Sequence, residues 1–170
     1  MKQLTDEFIA QSINRLDEYI FKIEQCMMDL KEEEIWKQPN ECSNSIGNII
    51  LHLCGNITQY IISSLGHTED RRKRDEEFKA SGGFTKLELI RKLSEIVIQA
   101  KAIINRLEPD ELLKVRSVQG FDLTGLGIIL HVIEHFSYHT GQIAFWVKLL
   151  KNKDLGFYND VDLNQKNIFD

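Results

Sequence analysis

Proline and cysteine are scarce in this chain of 170 residues, which contains two prolines and three cysteines. Because proline disrupts the interior of a helix, so small a number favours an all-α fold. Cys26, Cys42 and Cys54 form no C-x-x-C pair and are odd in number, which is typical of reduced thiols rather than of a secreted disulfide framework. The polar, acidic N-terminus lacks the pattern of a signal peptide. We therefore expect a cytoplasmic protein.

The chain also lacks an uninterrupted apolar run of about 18 residues, so it predicts no membrane span. Basic residues do not outnumber acidic ones either: the chain has 21 basic and 26 acidic residues and a formal charge of -5. The one basic run, residues 71–74, is flanked by acidic side chains and is typical of a solvated loop. Nucleic acid is therefore not an expected partner. Binding of an anionic substrate by Arg72 and Arg74 stays open as an alternative.

Apolar residues recur at three- and four-residue spacing in four segments, which predicts four long helices in one domain, residues 1–170. Thr5 is the expected N-cap of the first helix, and Thr85-Lys86-Leu87-Glu88 fits a capping box at the start of the third. Residues 114–123 alternate weakly and are expected to be extended or irregular. The fold class is therefore an all-α four-helix bundle with long crossover connections. The helices are expected at about residues 5–34, 44–65, 85–107 and 124–150.

Three histidines of the fourth segment, His131, His135 and His139, follow one another at four-residue spacing. On an α-helix each such step turns by only about 40°, so the three form one stripe. Two neighbours in the stripe can place imidazole nitrogens on one small cation, but His131 and His139 are about 12 Å apart along the axis. The pairs 131/135 and 135/139 both stay open. A third ligand must come from another helix, and His52 is the only other histidine within a predicted helix.

His52 belongs to a polar stripe formed by Asn48, His52, Asn56 and Gln59. Elsewhere in this chain a solvated helix face carries mainly Lys, Glu and Asp, whereas this stripe carries amides and an imidazole without charge. The pattern favours a buried polar seam over a solvent face. A three-histidine site there would leave coordination positions for water or substrate, as catalytic zinc sites do.

A second motif overlaps the histidine row. Residues 131–135 spell H-x-x-E-H, the pattern of one group of metalloproteases, with Glu134 as the general base. Such a site commonly takes a further glutamate ligand from downstream, and no glutamate follows Glu134. The protease interpretation is therefore not favoured. Histidines that pack in the bundle without a metal are a further alternative.

Two stretches of the chain resemble signatures of the DinB-like superfamily. They are residues 45–57 in the second segment and residues 131–143 in the last one. The run 72–78 is similar to an R-x-R-x-x-E-F element found in one branch of the superfamily, a domain family without an assigned function. The resemblance implies a four-helix bundle with up-down-down-up topology, often dimeric, and a divalent metal held by one histidine of the second helix and an HxxxH pair of the fourth.

Carried onto this sequence, the resemblance implies that His52, His135 and His139 are the metal ligands. Zinc and nickel are the first candidates for the ion, and His131 is left for packing or support. Members of the superfamily include bacillithiol S-transferases and mycothiol-dependent maleylpyruvate isomerases. The resemblance therefore implies a metal-dependent transferase that acts on a small electrophile with a low-molecular-weight thiol, and a homodimer as its assembly.

Ligating imidazoles need a partner for their second nitrogen, so Asn48, Asn56 and Gln142 are candidates for support of the ligands or for substrate contacts. Glu134 lies about 100° round the helix from His135, and the pattern names no general base. The alternative function is a non-catalytic metal-binding or dimerising helical-bundle protein.

Overall fold

Helices account for 65% of the computed structural model, which describes residues 2–168. The predicted all-α class is confirmed, with one small antiparallel sheet in addition. No helix of the described residues is both long and apolar enough to cross a membrane. The elements are α1 (Lys2–Met28), α2 (Glu32–Ile35), α3 (Ile46–Ile57, continued by a π-helical segment Thr58–Leu65), α4 (Arg74–Lys79), α5 (Lys86–Ile104), α6 (Pro109–Leu113), β1 (Val115–Val118), β2 (Phe121–Thr124) and α7 (Gly125–Lys151).

The helix boundaries agree with the sequence prediction where a local cap sets them. Thr85 Oγ1 accepts a hydrogen bond from the backbone N–H of Glu88, whose carboxylate accepts one from the backbone N–H of Thr85, so α5 begins as predicted. Thr5, by contrast, is not an N-cap. The helix begins at Lys2, and Thr5 is a buried residue within it. The predicted first helix is also divided, because α1 ends at Met28 and α2 follows as a separate turn.

The hydrogen bonding of α3 changes along its length. Ser45 caps the helix, since its Oγ accepts from the backbone N–H of Asn48 and the Asn48 side chain accepts from the backbone N–H of Ser45. Beyond Ile57 the helix continues in the π form and closes with a bond from the N–H of Gly66 to the carbonyl of Ile61 at 2.9 Å. Such wide turns are rare and often mark functional sites.

The four long helices contact one another as α1 with α5 and α7, and α3 with α5 and α7. Tyr60 stacks on His131 with ring centroids 4.2 Å apart, and His52 lies against His139 at 5.1 Å. The residue with the higher number on α3, Tyr60, meets the residue with the lower number on α7, His131. These two helices therefore run in opposite directions. The core between the helices is mainly aliphatic and also contains the fully buried rings of Tyr60 and Phe136. Its fully buried members include Leu16, Ile50, Leu93 and Ile143.

Residues 115–124 form a β-hairpin in the connection before α7. Val118 pairs with Phe121 across a turn in which Gln119 and Gly120 have φ of 53° and 83°. Two left-handed residues in succession are the mark of the hairpin turn whose twist matches that of the strands. The side-chain oxygen of Gln119 accepts a hydrogen bond from the Tyr60 hydroxyl at 2.9 Å, so the hairpin is tied to α3.

The reactivity of the three free cysteines provides a test of this packing. Cys26 and Cys54 are buried, and burial raises the pKa of their thiols to about 11 and to about 12, whereas Cys42 is exposed. Because the thiolate is the reactive form, we expect Ellman's reagent at about pH 8 to modify one thiol rapidly in the native protein and all of them in guanidinium chloride. A Cys42→Ser variant should lose the rapid reaction. Rapid native reaction of a second thiol would contradict the packing of α1 or α3.

Candidate metal centre

Three histidines converge between α3 and α7. His52, His135 and His139 place ring nitrogens within 4.8 Å of one another, and the Nε2 atoms of His52 and His135 are 2.9 Å apart. His135 and His139 reach the same point because they lie one helical turn apart. The structure does not bring His131 into this group, and its ring stacks between Tyr60 and His135.

The surroundings keep two of the imidazoles neutral. Burial, together with the neighbouring imidazoles, lowers the pKa of His135 to about 3. Burial also lowers the pKa of His139 to about 4, although its hydrogen bond to Gln142 acts in the other direction. Near neutral pH both rings therefore carry a lone pair and no proton charge, which is the form that binds metal ions.

This set of donors fits a divalent transition metal. Imidazole nitrogen suits zinc, nickel, copper and iron. Two nitrogens bound to one tetrahedral zinc ion at about 2.1 Å lie about 3.4 Å apart. The separations within the group, 2.9 Å for one pair and at most 4.8 Å for all three, bracket that value. The three histidines could therefore hold one ion and leave room for a further ligand.

The outer side of His52 contacts a buried ion pair between Arg72 and Glu77 that the sequence pattern did not predict. Nδ1 of His52 lies 2.9 Å from Glu77 Oε2, and Arg72 donates through Nε and Nη2 to the two oxygens of Glu77 at 2.7 and 2.9 Å. The side chains of Arg72 and Glu77 are 3% and 10% exposed. Burial by itself raises the pKa of Glu77, but the hydrogen bonds from Arg72 and His52 outweigh it and lower that pKa below its usual range.

The R-x-R-x-x-E-F element thus lies beside the three histidines. The expectation of a solvated loop is wrong for Arg72, whose guanidinium is buried in the ion pair and also donates to Gln59 at 2.9 Å; binding of an anionic substrate stays an open alternative. Arg74 lies over the Phe78 ring at 4.8 Å. The Phe78 ring in turn contacts the His52 ring, with centroids 4.7 Å apart. Three of the motif residues therefore meet the ring of His52 or the groups that hold it.

Two of the amides predicted to support the imidazoles do contact histidines. Oε1 of Gln142 lies 2.7 Å from Nδ1 of His139, so this ring donates to Gln142 and keeps Nε2 free. The amide nitrogen of Asn56 lies 3.4 Å from His131. Its Oδ1 is buried without a hydrogen-bond partner among residues 2–168. Gln142 therefore supports a member of the group, whereas Asn56 supports the histidine outside it.

The third amide, Asn48, holds the segment that carries Glu77. Its side chain donates to the backbone carbonyls of Glu77 and Ala80 at 2.9 and 2.7 Å. Gly55 of α3 permits the close approach of the same segment, because a Cβ at this position would collide with Glu77 Oε1 and lie 2.8 Å from Arg72 Nε. The ion pair therefore depends on two α3 residues that touch no imidazole.

A cavity of about 470 Å³ lies near the site, although none of the three histidines lines it. Gln142, which holds His139, lines this cavity together with Ile49, Phe145 and Trp146. The remaining lining residues are proline, leucine, serine, asparagine and cysteine, so no acidic or basic side chain faces the space.

Comparisons with known proteins agree with this fold. The family model described as "Protein of unknown function (DUF1572)" matches residues 3–159. A conserved protein of Enterococcus faecalis is similar over 85% of this chain and 97% of its own, with a TM-score of 0.72 and 18% identity. DinB-like proteins of Bacillus subtilis and Bacillus cereus give TM-scores of 0.65 and 0.66 at 14% and 11% identity, covering 85% and 82% of this chain and 94% and 91% of their own. No curated protein sequence matches the chain.

Gly55→Ala tests the contact between α3 and the ion pair. The new Cβ must displace Glu77, and overpacking of this kind costs about 1–3 kcal/mol. We therefore expect a lower free energy of unfolding, measured in urea on metal-free protein. Gly141→Ala in α7 is the matched control, since a Cβ there meets nothing within 4 Å. It should gain about 0.5–1 kcal/mol from helix propensity. Equal gains in both variants would contradict the described position of Glu77.

Proposed function

The chain belongs to the DUF1572 family and to the DinB-like superfamily, and on that premise we propose that it is a metal-dependent enzyme that transfers a small thiol to an electrophile. The observation that carries the proposal is the convergence of His52, His135 and His139, with ring nitrogens within 4.8 Å of one another. We propose these three as the ligands of one zinc or nickel ion.

The chemistry follows from the charge balance of the site. Three neutral imidazoles leave the charge of a divalent ion uncompensated, and such an ion lowers the pKa of a small thiol or water so that a nucleophile forms near neutral pH. The protein's contribution is to keep the nitrogen lone pairs of the imidazoles available to the ion. Gln142 does this for His139, and the low pKa of His135 keeps a second proton off that ring near neutral pH. The Glu134 side chain is exposed, and we assign it no role as a base.

The cavity beside Gln142 supports access by a second molecule. Its volume of about 470 Å³ is in the range of small-molecule sites. The absence of acidic and basic groups from its lining suits an uncharged electrophile. His135 is the half-buried member of the histidine group, so the site also has an open side.

We propose the up-down-down-up arrangement for the four long helices. Pairs of contacts in opposite order support opposite directions for α1 and α5, as they do for α3 and α7. Contacts in the same order support a common direction for α1 and α7. For α1 and α5 the pairs are Asp17–Lys101 and Glu24–Ser94. For α1 and α7, Phe8 and Leu126 line the same cavity, and the rings of Tyr19 and Phe136 are in contact.

A cytoplasmic homodimer completes the proposal. Tyr138, Phe145 and Leu149 are exposed on α7, and exposed apolar surface is typical of protein interfaces. Phe145 and Leu149 also line the cavity, so a second copy packed here would form part of the cavity wall. The free thiol of Cys42 is exposed, which suits a reducing compartment.

The second candidate function is a non-catalytic metal-binding protein. The observation in its favour is the burial of His52 and His139, which are 6% and 8% exposed. Structural metal sites are closed in this way, whereas catalytic sites keep an open position. The two candidates share the ligand set and differ in turnover.

Metal content tests the ligand set. Wild-type protein incubated with zinc or nickel and then dialysed should carry about one ion per chain. His52→Ala, His135→Ala and His139→Ala should each lose most of it, because two imidazoles bind an ion far less tightly than three. His67→Ala is the matched control, since the His67 side chain is 67% exposed and outside the group. Wild type without metal would defeat both candidate functions, and a variant that keeps its metal would remove that histidine from the ligand set.

Turnover separates the two candidates. We expect metal-loaded wild type to accelerate conjugation of monochlorobimane with at least one small thiol among cysteine, glutathione and bacillithiol, measured by fluorescence. His135→Ala should react at the uncatalysed rate, because the ion is lost. Metal-loaded wild type that accelerates none of these reactions would favour the non-catalytic candidate.

A further inference from the structure

The histidines of the candidate metal centre differ in the hydrogen-bond partner of the ring nitrogen that faces away from the group. Nδ1 of His52 faces the buried carboxylate of Glu77, whereas Nδ1 of His139 faces the neutral amide of the exposed Gln142. We infer that Glu77, held by Arg72, is a positioning residue that fixes His52 as its Nδ1–H tautomer and directs the lone pair of Nε2 toward the other two histidines. This inference deepens the proposed function, because it rests on His52 as a ligand.

The surroundings of Nδ1 select this tautomer. Nδ1 lies 2.9 Å from Glu77 Oε2 and 3.1 Å from Arg72 Nη2. An ionised carboxylate can only accept hydrogen bonds. A lone pair on Nδ1 would therefore face a lone pair of the carboxylate at hydrogen-bond distance, whereas an Nδ1–H donates to it. Nη2 of Arg72 has a second N–H that could donate to a lone pair on Nδ1, but Nδ1 lies closer to Glu77 Oε2, and that tautomer would leave two lone pairs facing each other at the shorter distance.

The tautomer of His52 determines that of His135 in the metal-free protein. With its proton on Nδ1, His52 presents a lone pair at Nε2. His135 Nε2 lies 2.9 Å away and must then donate, so His135 carries its proton on Nε2. To bind an ion through Nε2, His135 has to move this proton to Nδ1, while His52 needs no change. Glu77 thus prepares one ligand in advance.

A chain of hydrogen bonds connects this carboxylate to the protein surface. Asp70 accepts from Gln59 at 2.7 Å, Gln59 accepts from Arg72 at 2.9 Å, and Arg72 donates to both oxygens of Glu77. An unpaired carboxylate is costly to bury, and removal of one partner of a buried pair leaves the other charge uncompensated. Arg72 therefore stabilises Glu77 as a hydrogen-bond acceptor for His52. Because both of its oxygens already accept hydrogen bonds, the carboxylate is less available to bind a metal ion itself.

Nitrogen NMR of metal-free wild type tests the inference directly. Long-range ¹H–¹⁵N spectra distinguish Nδ1–H, Nε2–H and doubly protonated rings, and they need neither metal nor activity. We expect His52 in the Nδ1–H form and His135 in the Nε2–H form at neutral pH. His52 in the Nε2–H form, or doubly protonated, would overturn the inference even if the protein binds zinc.

Zinc affinity of Glu77→Gln gives the second test, measured by competition with a chelator. Loss of a supporting carboxylate typically weakens metal binding about 10–100-fold, and we expect that range here. Glu76→Gln is the matched control, because Glu76 is exposed and pairs with Lys73 at the surface. Its affinity should stay equal to that of wild type. A folded Glu77→Gln protein with wild-type affinity and tautomers would overturn the inference.

Failure of the proposed function and failure of the inference about Glu77 give different results. Wild type that binds no zinc defeats the proposed function, whereas the NMR experiment still decides whether Glu77 positions His52. If Glu77→Gln does not fold, the spectra of the wild type decide alone.

Discussion

The buried Glu77 carboxylate sets the arrangement of the groups around His52. An ionised carboxylate taken out of water costs several kcal/mol unless its oxygens are paired. Arg72 and His52 supply the partners, and both are themselves largely buried. The pairing in turn requires a glycine at position 55 and the amide of Asn48, which holds the backbone of the same segment. One ionised group thus links the connection after α3 to the orientation of a candidate metal ligand.

The parts of the fold predicted from sequence are those with a local physical cause. Periodic apolar residues produce long amphipathic helices, and the capping box at Thr85 fixes the start of α5 from neighbours within one turn. Thr5 carries the same type of signal, but its side chain is buried by tertiary packing, and the helix begins before it. The expectation that residues 114–123 are extended or irregular agrees with the two strands. Their pairing into a hairpin was not predicted, because four-residue strands are too short for a clear periodic pattern and the Gln119–Gly120 turn lacks the asparagine typical of such turns.

The residues of the candidate site likewise divide into those that a local sequence pattern predicts and those that it does not. The histidine row was visible because its four-residue spacing is a property of one helix, whereas the choice of His135 and His139 over His131 needed the resemblance. Glu77 had no role in the predicted site because its place beside His52 depends on the chain folding back from α4 onto α3. A charged run in a sequence gives no sign of burial. The available signals were the R-x-R-x-x-E-F element and a glycine inside an amphipathic helix.

The unequal support of the three histidines bears on the choice between a closed and an exchanging metal site. His52 and His139 are each fixed by a hydrogen bond on the nitrogen that faces away from the group. For His135, the described residues provide no such bond at Nδ1, and this ring is the more exposed one. A supporting hydrogen bond at the second nitrogen orients a ligating imidazole and strengthens its binding to the metal. A centre with two fixed ligands, one less restricted ligand and an uncharged cavity beside Gln142 is better suited to admitting a small molecule, and this asymmetry favours the enzymatic candidate.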